Sequence, residues 1–201
     1  MKKLKRDFYD RDTLIVAKEL IGKILVRKYN GKKIMSRITE TEAYKGEFDK
    51  ASHSYNGITS RNQAMFGPAG FTYVYFIYGM YYCLNIVTEH EGSGSAVLIR
   101  GVEPIENIED MCLNRYNKTL DELTRYQLKN ISNGPGKICN ALHITREDNG
   151  IDLIENDIYV VDDGFEDFSI ESTKRINIDY AEESKDFLWR FLLKANENRT
   201  S

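Results

Sequence analysis

The apolar positions of the first half of the chain predict one short helix followed by strands. Apolar residues recur at helical spacing between Asp12 and Ile21, and Gly22 follows as a stop, so a short amphipathic helix is predicted there. The stretches KILVRKY and KKIMSRITETEAY flank Asn30-Gly31, a dipeptide that accepts positive φ at both turn positions. These two stretches therefore predict a β-hairpin.

Two more apolar stretches predict further strands. FTYVYFIYGMYYCLNIVTE is interrupted at Tyr78-Gly79-Met80, which predicts a second hairpin with glycine at its tip. SAVLIRGVEP, which begins at Ser95, is typical of a buried strand and should end before Pro104.

The second half of the chain has weaker patterns. Residues 105–116 and 120–128 look helical, and NGPGKICNALHI predicts a glycine-rich turn that leads into a short helix. VVDDG and FSIES alternate weakly and predict edge strands, whereas the period of DFLWRFLLKAN does not decide between helix and strand. No repeat or flexible linker interrupts the sequence, so we expect one domain over residues 1–201.

Composition adds information about the setting of the protein. The net charge of −3 neither favours nor forbids a nucleic-acid partner, so any anion site has to be local. Lys18 and Glu19 interrupt the apolar stretch near the N-terminus, which fits neither a signal peptide nor a membrane span and predicts a cytoplasmic protein. Cys83, Cys112 and Cys139 are odd in number and widely spaced, so we expect packing residues rather than disulfides.

Two carboxylates and a tyrosine share one face of the second predicted strand. Glu40, Glu42 and Tyr44 alternate in TETEAY, so neighbours in this set lie roughly 7 Å apart. That spacing suits two-carboxylate hydrolysis or metal ligation, and a solvated strand edge is the plain alternative. A metal site would use Glu40, Glu42 and His53, but no HExxH, HxH or CxxC spacing accompanies them, so we expect no metal.

Aromatic and basic residues near these strands indicate a ligand pocket. Tyrosines concentrate at positions 44, 73, 75, 78, 81 and 82, which favours a stacking pocket, although a tyrosine-rich core hairpin would give the same pattern. Arg100 interrupts an apolar stretch, so it should face either a carboxylate or a ligand. NGPGK, residues 133–137, offers free backbone amides and a lysine that suit a phosphate, or it simply caps a helix.

The chain closely resembles the alkyladenine (3-methyladenine) DNA glycosylase family in six motifs that keep the family's order and spacing: ETEAY, D-x-x-S-H, RNxxMFGPxG, YVYFIYGMYYCLN, AVLIRGVEP and NGPGK. A weaker similarity follows in RINIDYAEE and WRF. The resemblance implies an α+β fold, in a single compact domain with a curved, mainly antiparallel sheet, flanking helices and a protruding β-hairpin. It also implies a monomeric, cytoplasmic enzyme, nucleoid-associated in a bacterium, without cofactor or membrane contact.

The same resemblance implies a base-excision-repair enzyme that flips alkylated purines out of double-stranded DNA. Water would then hydrolyse the N-glycosidic bond without a covalent intermediate. Two alternatives stay open: a non-catalytic module that binds damaged DNA, and a metal-dependent nucleoside hydrolase.

Roles in the expected reaction can be carried over motif by motif. Glu42 would activate the water, and Arg100 would help to define its pocket together with the main chain near His53 and Val97. The flipped base would be sandwiched between three side chains, namely Tyr44, His53 and Tyr75. An alkylated purine is cationic, so it gains from aromatic faces and leaves without being protonated, which makes one catalytic acid sufficient. Glu40 would then support the strand or the electrostatics of the site.

Other motif residues are expected to contact DNA. Tyr78 would wedge into the minor groove, and Asn85 would screen against guanine. Arg61 and Lys137 would contact the DNA backbone, and Asn62 and Met65 would support the DNA-facing surface of the protein. Lys2, Lys3 and Lys5 would supply local positive charge. One position departs from the family: Asn177 stands where a glycine is expected, and asparagine tolerates positive φ better than most residues.

Overall fold

Nine strands form one sheet in the computed structural model, which describes residues 1–196. They are β1 (Lys2–Lys3), β2 (Ile24–Tyr29), β3 (Lys32–Tyr44), β4 (Thr72–Ile77), β5 (Tyr81–Thr88), β6 (Ser95–Glu106), β7 (Ile158–Asp162), β8 (Phe168–Thr173) and β9 (Arg190–Ala195). Their order is β1-β7-β2-β3-β6-β5-β4, and β9 pairs with both β3 and β8. Every strand pair is antiparallel.

Five α-helices accompany the sheet within the described residues: α1 (Arg6–Tyr9), α2 (Thr13–Leu20), α3 (Ile108–Tyr116), α4 (Arg125–Lys129) and α5 (Pro135–Ala141). Short 3-10 helices cover Gln63–Phe66, Leu120–Glu122, Arg146–Asp148 and Glu182–Asp186. Helix α2 begins where the Asp12 carboxylate accepts hydrogen bonds from the first free backbone amides, at Leu14 and Ile15. It ends before Gly22, whose φ of +84° suits glycine.

The long strand β3 is paired along both edges. One edge pairs with β6, and the other pairs with β2 through Lys32 to Arg37 and with β9 through Glu40 to Glu42. The register with β6 shifts on either side of Glu40, which bends the strand locally. The segment that carries the two acids therefore lies in the interior of the sheet.

The main hydrophobic core lies on one face of this sheet. Alternate residues of the central strands, such as Ala43, Val97 and Ile99, belong to one buried cluster with apolar side chains of α2, α3 and α5. Because successive strand residues point to opposite faces, Glu42 and Leu98 project to the other face. The candidate site is built on that second face.

Most predicted elements are confirmed, and three predictions are corrected. Strand β6 does not end before Pro104; this residue pairs with Ser36 beside a register shift, where the missing N–H is tolerated. The next helix therefore begins at Ile108 instead of residue 105. The predicted helix over residues 120–128 is two short helices, because Thr119 and Thr124 each start a new one with a capping box.

The C-terminal prediction also needs revision. The first three residues of VVDDG end β7, and β1 covers the outer edge of this strand, so it is not an edge strand. FSIES lies in β8, which pairs only with β9 within the described residues, as expected of an edge. The undecided DFLWRFLLKAN stretch contains β9. Residues 197–201 of the expected domain lie outside the described part.

Two compositional predictions have structural outcomes. The three cysteines are buried and unpaired; Cys112 and Cys139 pack in the main core as expected, whereas Cys83 lies on the other face of the sheet. Within residues 1–196, none of the helices has the length and apolar character that a membrane crossing would require.

Candidate active site

A cavity of about 200 Å³ opens on the face of the sheet opposite the main core. It is smaller than typical pockets for drug-sized ligands, which hold about 300 Å³ or more, so it suits a ligand the size of one base. Its walls come from β3 to β6, from residues 51–65, from the start of α5 and from residues 176–180. They comprise Tyr44, Ala51, His53, Met65, Tyr73, Tyr75, Ile77, Tyr78, Cys83, Asn85, Leu98, Arg100, Pro135, Ile176, Asn177, Ile178 and Tyr180.

The carboxylate of Glu42 is fully buried directly behind this wall. Its Oε2 accepts a hydrogen bond from the Tyr44 hydroxyl over 2.8 Å, and its Oε1 accepts one from the backbone N–H of Ile176 over 2.8 Å. Burial raises the pKa of Glu42, while Arg100 and the two hydrogen bonds oppose that rise. Glu42 does not itself line the cavity, but Tyr44, Arg100 and Ile176 all do.

The Tyr44 phenol is a committed hydrogen-bond donor. Burial raises its pKa well above the usual value, and the neighbouring Glu42 carboxylate raises it further. The hydroxyl therefore stays protonated at neutral pH, and the carboxylate oxygen is the acceptor.

Arg100 is held between the two acids of β3. Its Nε donates to Oε1 of Glu40 over 2.9 Å and lies 3.6 Å from Oε1 of Glu42. Arg190 of β9 also donates to Glu40, over 2.6 Å. Glu40 thus orients a guanidinium beside Glu42 rather than forming a solvated strand edge, and Arg100 faces carboxylates and the cavity together.

Aromatic rings form one side of the cavity. His53 lies edge-on to Tyr75 with ring centroids 4.6 Å apart, and its Nδ1 shares a hydrogen bond of 2.9 Å with the Tyr73 hydroxyl. Burial lowers the pKa of His53, and nearby Arg61 lowers it further, so the imidazole is neutral at pH 7. Burial also raises the pKa of Tyr73 to about 12. The wall therefore presents neutral aromatic groups to a ligand.

The rim of the cavity carries two exposed tyrosines. Tyr78 lies at the tip of the β4–β5 hairpin with 73% of its surface exposed and a φ of +54°. Tyr180 is 68% exposed and comes from the segment that follows β8. Asn177 also lines the rim and has a φ of +61°, the backbone conformation expected where a glycine is replaced by asparagine.

Asn85 lies deeper in the cavity wall and is 4% exposed. Its Nδ2 donates to the backbone oxygen of Tyr73 over 3.0 Å, across the β4–β5 pair. One of its two amide hydrogens is thereby committed to the fold.

The remaining predicted residues fall into different places. Val97 is fully buried in the main core, and its neighbour Leu98 lines the cavity instead, as strand alternation requires. Arg61 lies over the Tyr75 ring, with its guanidinium carbon 5.9 Å from the centroid. Lys137 donates to side-chain oxygens of Asn130 and Asn133 over 2.9 and 2.7 Å.

Two other expected surface residues are largely buried. Asn62 is 2% exposed and ties a loop together by donating to the backbone oxygens of His53 and Gly57. Met65 is 3% exposed and lines the cavity. Asn62 therefore supports the loop that carries His53, whereas Met65 packs with Tyr73 of β4.

Sequence reasoning missed the contribution of residues 175–180. Ile176, Ile178 and Tyr180 line the cavity, and Ile176 supplies a hydrogen bond to Glu42. The only signal was the weak RINIDYAEE similarity. Across residues 1–196, no group of three or more His, Cys, Asp or Glu side chains is arranged to hold a metal ion.

Comparison with known proteins gives a consistent result. A family model described as methylpurine-DNA glycosylase matches residues 7–197. Three relatives carry the name "Putative 3-methyladenine DNA glycosylase". They come from Alkaliphilus oremlandii (54% identical, 96% of both chains covered), Clostridium acetobutylicum (53%, 97% of this chain and 96% of the relative) and Clostridium novyi (56%, 96% of both).

These matches cover nearly the whole chain, so they apply to the sheet, the cavity and the buried acid together. The protein is a DNA glycosylase, a hydrolase of DNA repair. It belongs to the methylpurine-DNA glycosylase family.

Proposed function

We propose that the protein flips alkylated purines out of double-stranded DNA and hydrolyses their N-glycosidic bond with a water activated by Glu42. The observation that carries this proposal is the placement of a buried carboxylate, with two fixed hydrogen-bond donors, directly behind a cavity the size of one base. The names of the relatives point to 3-methyladenine as one substrate.

The attacking water would lie beside Glu42. Arg100 donates its single Nε–H to Glu40 and lies 3.6 Å from Glu42 Oε1, and each Glu42 oxygen accepts one hydrogen bond, so each keeps a lone pair that a water can use. A water held there would donate to the carboxylate, and Glu42 would take its proton as the water attacks the sugar. The raised pKa brings Glu42 closer to neutral pH, where a general base is most effective.

The aromatic wall supports the choice of substrate. Alkylation gives a purine a positive charge, and the faces of Tyr44 and Tyr75 attract a cation within a partly desolvated cavity. Neutral His53 adds no competing charge. The charged base is also a good leaving group, so no second acid has to protonate it, and Glu40 remains free to hold Arg100.

The exposed hairpin supports the use of duplex DNA. The Tyr78 side chain is largely exposed in the free protein. It can therefore enter the base stack and occupy the space left by a flipped nucleotide. Arg61 and Lys137 would contact phosphates near the rim. The proposal treats the protein as a monomer, since one chain supplies all of these parts.

Single-turnover release of free base from alkylated duplex DNA tests the proposal. Glu42→Gln keeps the shape of the side chain but removes the base, so excision should fall at least about a hundredfold while DNA binding persists. The matched control is Glu171→Gln. Glu171 lies on β8, where its exposed side chain pairs with Lys194 of β9, and the variant should behave like the wild type.

Two results would redirect the interpretation. Near-normal turnover by Glu42→Gln would remove Glu42 from the mechanism. Tight binding to damaged duplex by the wild-type protein, with no abasic sites formed, would favour a binding module instead.

A further inference from the structure

Arg175 and Asp49 form an ion pair that is completely buried behind the cavity. Both side chains are 0% exposed, and the pair is bidentate, with N–O distances of 2.5 and 2.8 Å. The same guanidinium donates to the backbone oxygens of Ala43 and Ser184 over 2.9 and 3.0 Å. It is therefore fixed at four points.

Asp49 is fixed as firmly as its partner. Its two carboxylate oxygens also accept hydrogen bonds from the backbone N–H groups of Lys45 and Ala51. The pair thus connects the end of β3, the loop that follows it and the segment after β8.

Arg175 reaches Glu42 by two separate routes. Its guanidinium carbon lies 4.7 Å from the centroid of the Tyr44 ring, whose hydroxyl donates to Glu42 Oε2. The residue that follows it, Ile176, donates its backbone N–H to Glu42 Oε1. The Trp189 ring also lies against the guanidinium, with its centroid 5.2 Å from the guanidinium carbon. Both hydrogen bonds to Glu42 therefore depend on the position of Arg175.

Fold stability alone does not account for such a pair. A buried ion pair generally contributes little net stability compared with apolar side chains of the same volume, because both charges lose their hydration. What the pair does provide is a rigid, directional anchor. Hydrogen bonds weaken steeply when the donor angle deviates, so a small shift of the Tyr44 ring or of the Ile176 amide would weaken the bonds to Glu42.

We propose that Arg175 is a positioning residue for excision: paired with Asp49, it holds Tyr44 and the Ile176 amide so that both donate to Glu42. The proposal rests on the proposed function, because Arg175 acts on the reaction only through Glu42. Arg175 itself touches neither the substrate nor the water.

The charge state of Glu42 supplies a specific readout. Hydrogen bonds to the ionised carboxylate lower its pKa, and burial raises it, so weaker bonds leave a higher pKa. The other titratable groups that face Glu42 are Glu40 and Tyr44 on β3, Arg100 on β6, Tyr75 on β4 and Cys83 on β5. Of these groups, only Tyr44 contacts Arg175, whose charge lowers the pKa of the phenol, so loss of that charge leaves the hydroxyl protonated. Asp49 offsets the charge of Arg175, and Arg175→Lys keeps that balance.

The test compares the pH dependence of single-turnover excision in Arg175→Lys, Arg175→Met and the wild type. Excision falls at low pH as Glu42 becomes protonated, which gives the pH profile an acidic limb. The midpoint of this limb should rise by about half to one pH unit in the variants. Met, which keeps no polar contact, should move it further than Lys, which can keep one. Affinity for uncleaved damaged duplex should change less than threefold.

Arg27→Lys is the matched control. Arg27 forms an ion pair of 2.9 Å with Asp148, and both side chains are nearly buried, at 12% and 6% exposure, but neither residue lines the cavity. This variant should lose comparable thermal stability and keep the wild-type acidic limb. If the Arg175 variants do not fold, Trp189→Leu loosens the guanidinium without touching the ion pair, and its acidic limb should move in the same direction.

The outcomes separate the two proposals. An unchanged acidic limb in every folded variant, with activity reduced equally at all pH values, would make Arg175 a purely structural residue while Glu42→Gln stays inactive. Normal activity of Glu42→Gln would instead overturn the proposed function itself.

Discussion

Tyr44 donates its hydroxyl hydrogen to Glu42 over 2.8 Å, and the two residues lie two positions apart on one strand. The ring of Tyr44 lines the cavity, while the carboxylate of Glu42 lies behind it. One hydrogen bond therefore links the ring that would contact the base directly to the acid that would activate water. A change on one side of this hydrogen bond alters the other.

The burial of Glu42 should cost stability at neutral pH. Its pKa is raised in the folded state, so the folded protein binds this proton more tightly than the unfolded chain does. Stability contributed at this site is therefore lost as pH rises from about 4.3, the ordinary value, through the folded pKa. Glu42→Gln removes the ionisation, and its Tm at pH 7.5 should exceed that of the wild type by about 1 to 3 °C.

Thermal melts from pH 4 to pH 8 check this prediction. The gap in Tm between Glu42→Gln and wild type should close at the acid end, where Glu42 is protonated anyway. A variant less stable than the wild type at every pH would contradict it.

Tyr78→Ala should weaken base flipping and leave the fold intact. The side chain is 73% exposed at a hairpin tip, so its loss removes little buried contact. Without the ring nothing fills the vacated space in the duplex, and single-turnover excision should fall about tenfold or more. The fluorescence of 2-aminopurine beside the lesion would report flipping directly.

Tyr126→Ala provides the comparison, since Tyr126 is 75% exposed on α4 and does not line the cavity. It should flip and excise normally. A large drop in Tm for Tyr78→Ala, with normal flipping by the folded fraction, would make Tyr78 a residue of the fold rather than of the reaction.

Asn85→Ser should relax discrimination against guanine. Guanine differs from adenine by an exocyclic amine, and the Asn85 side chain can crowd that amine or leave it without a partner. Removing the longer amide should raise excision of undamaged guanine relative to alkylated adenine. Loss of the hydrogen bond to the Tyr73 oxygen should also cost about 1 kcal/mol of stability.

Single-turnover assays on duplexes that differ only in the target base measure this preference. Asn149→Ser is a suitable control, because Asn149 accepts a hydrogen bond from the backbone of Val74, the next residue of β4. It should lose stability without any change in preference. An unaltered ratio of guanine to alkylated adenine in folded Asn85→Ser would end the screening hypothesis.

Borohydride should trap no covalent adduct between protein and DNA. The described residues that line the cavity include no lysine, and Lys45, next to Tyr44, is directed to Asp12 and Glu89. A Schiff base therefore has no amine at hand. Activity should also survive EDTA. A reduced adduct on a denaturing gel, or inactivation by the chelator, would show that a different chemistry operates.

Local patterns were sufficient to predict the first and second hairpins. Their strands are continuous apolar or β-prone stretches, and Asn30-Gly31 and Tyr78-Gly79 mark the turns between them. The strand β9 could not be predicted in the same way. One of its edges pairs with β3 and the other with β8, and the burial of its side chains does not follow a simple period. Pro104 was misjudged for a related reason, since the register shift that accommodates it depends on the partner strand.

The same difference between local patterns and long-range contacts applies to the candidate site. Glu42 and Tyr44 were placed on one face by alternation within a single strand, and Arg100 was recognised because a charge interrupts an apolar stretch. The contribution of Ile176 was invisible, because a backbone amide leaves no trace in the residue type. Likewise, the pairing of Arg175 with Asp49 joins positions 126 residues apart, and no local spacing encodes it.

The pairing of β3 along both edges also affects how the enzyme loses activity on heating. The segment that carries Glu42 is hydrogen-bonded on one side to β6 and on the other to β9, so its amides cannot exchange with solvent unless the sheet itself opens. Hydrogen exchange there should report the global unfolding free energy, whereas the Tyr78 turn should exchange almost freely. As the protein is heated, the acid should keep its geometry until the whole domain melts, and loss of excision should coincide with the cooperative transition.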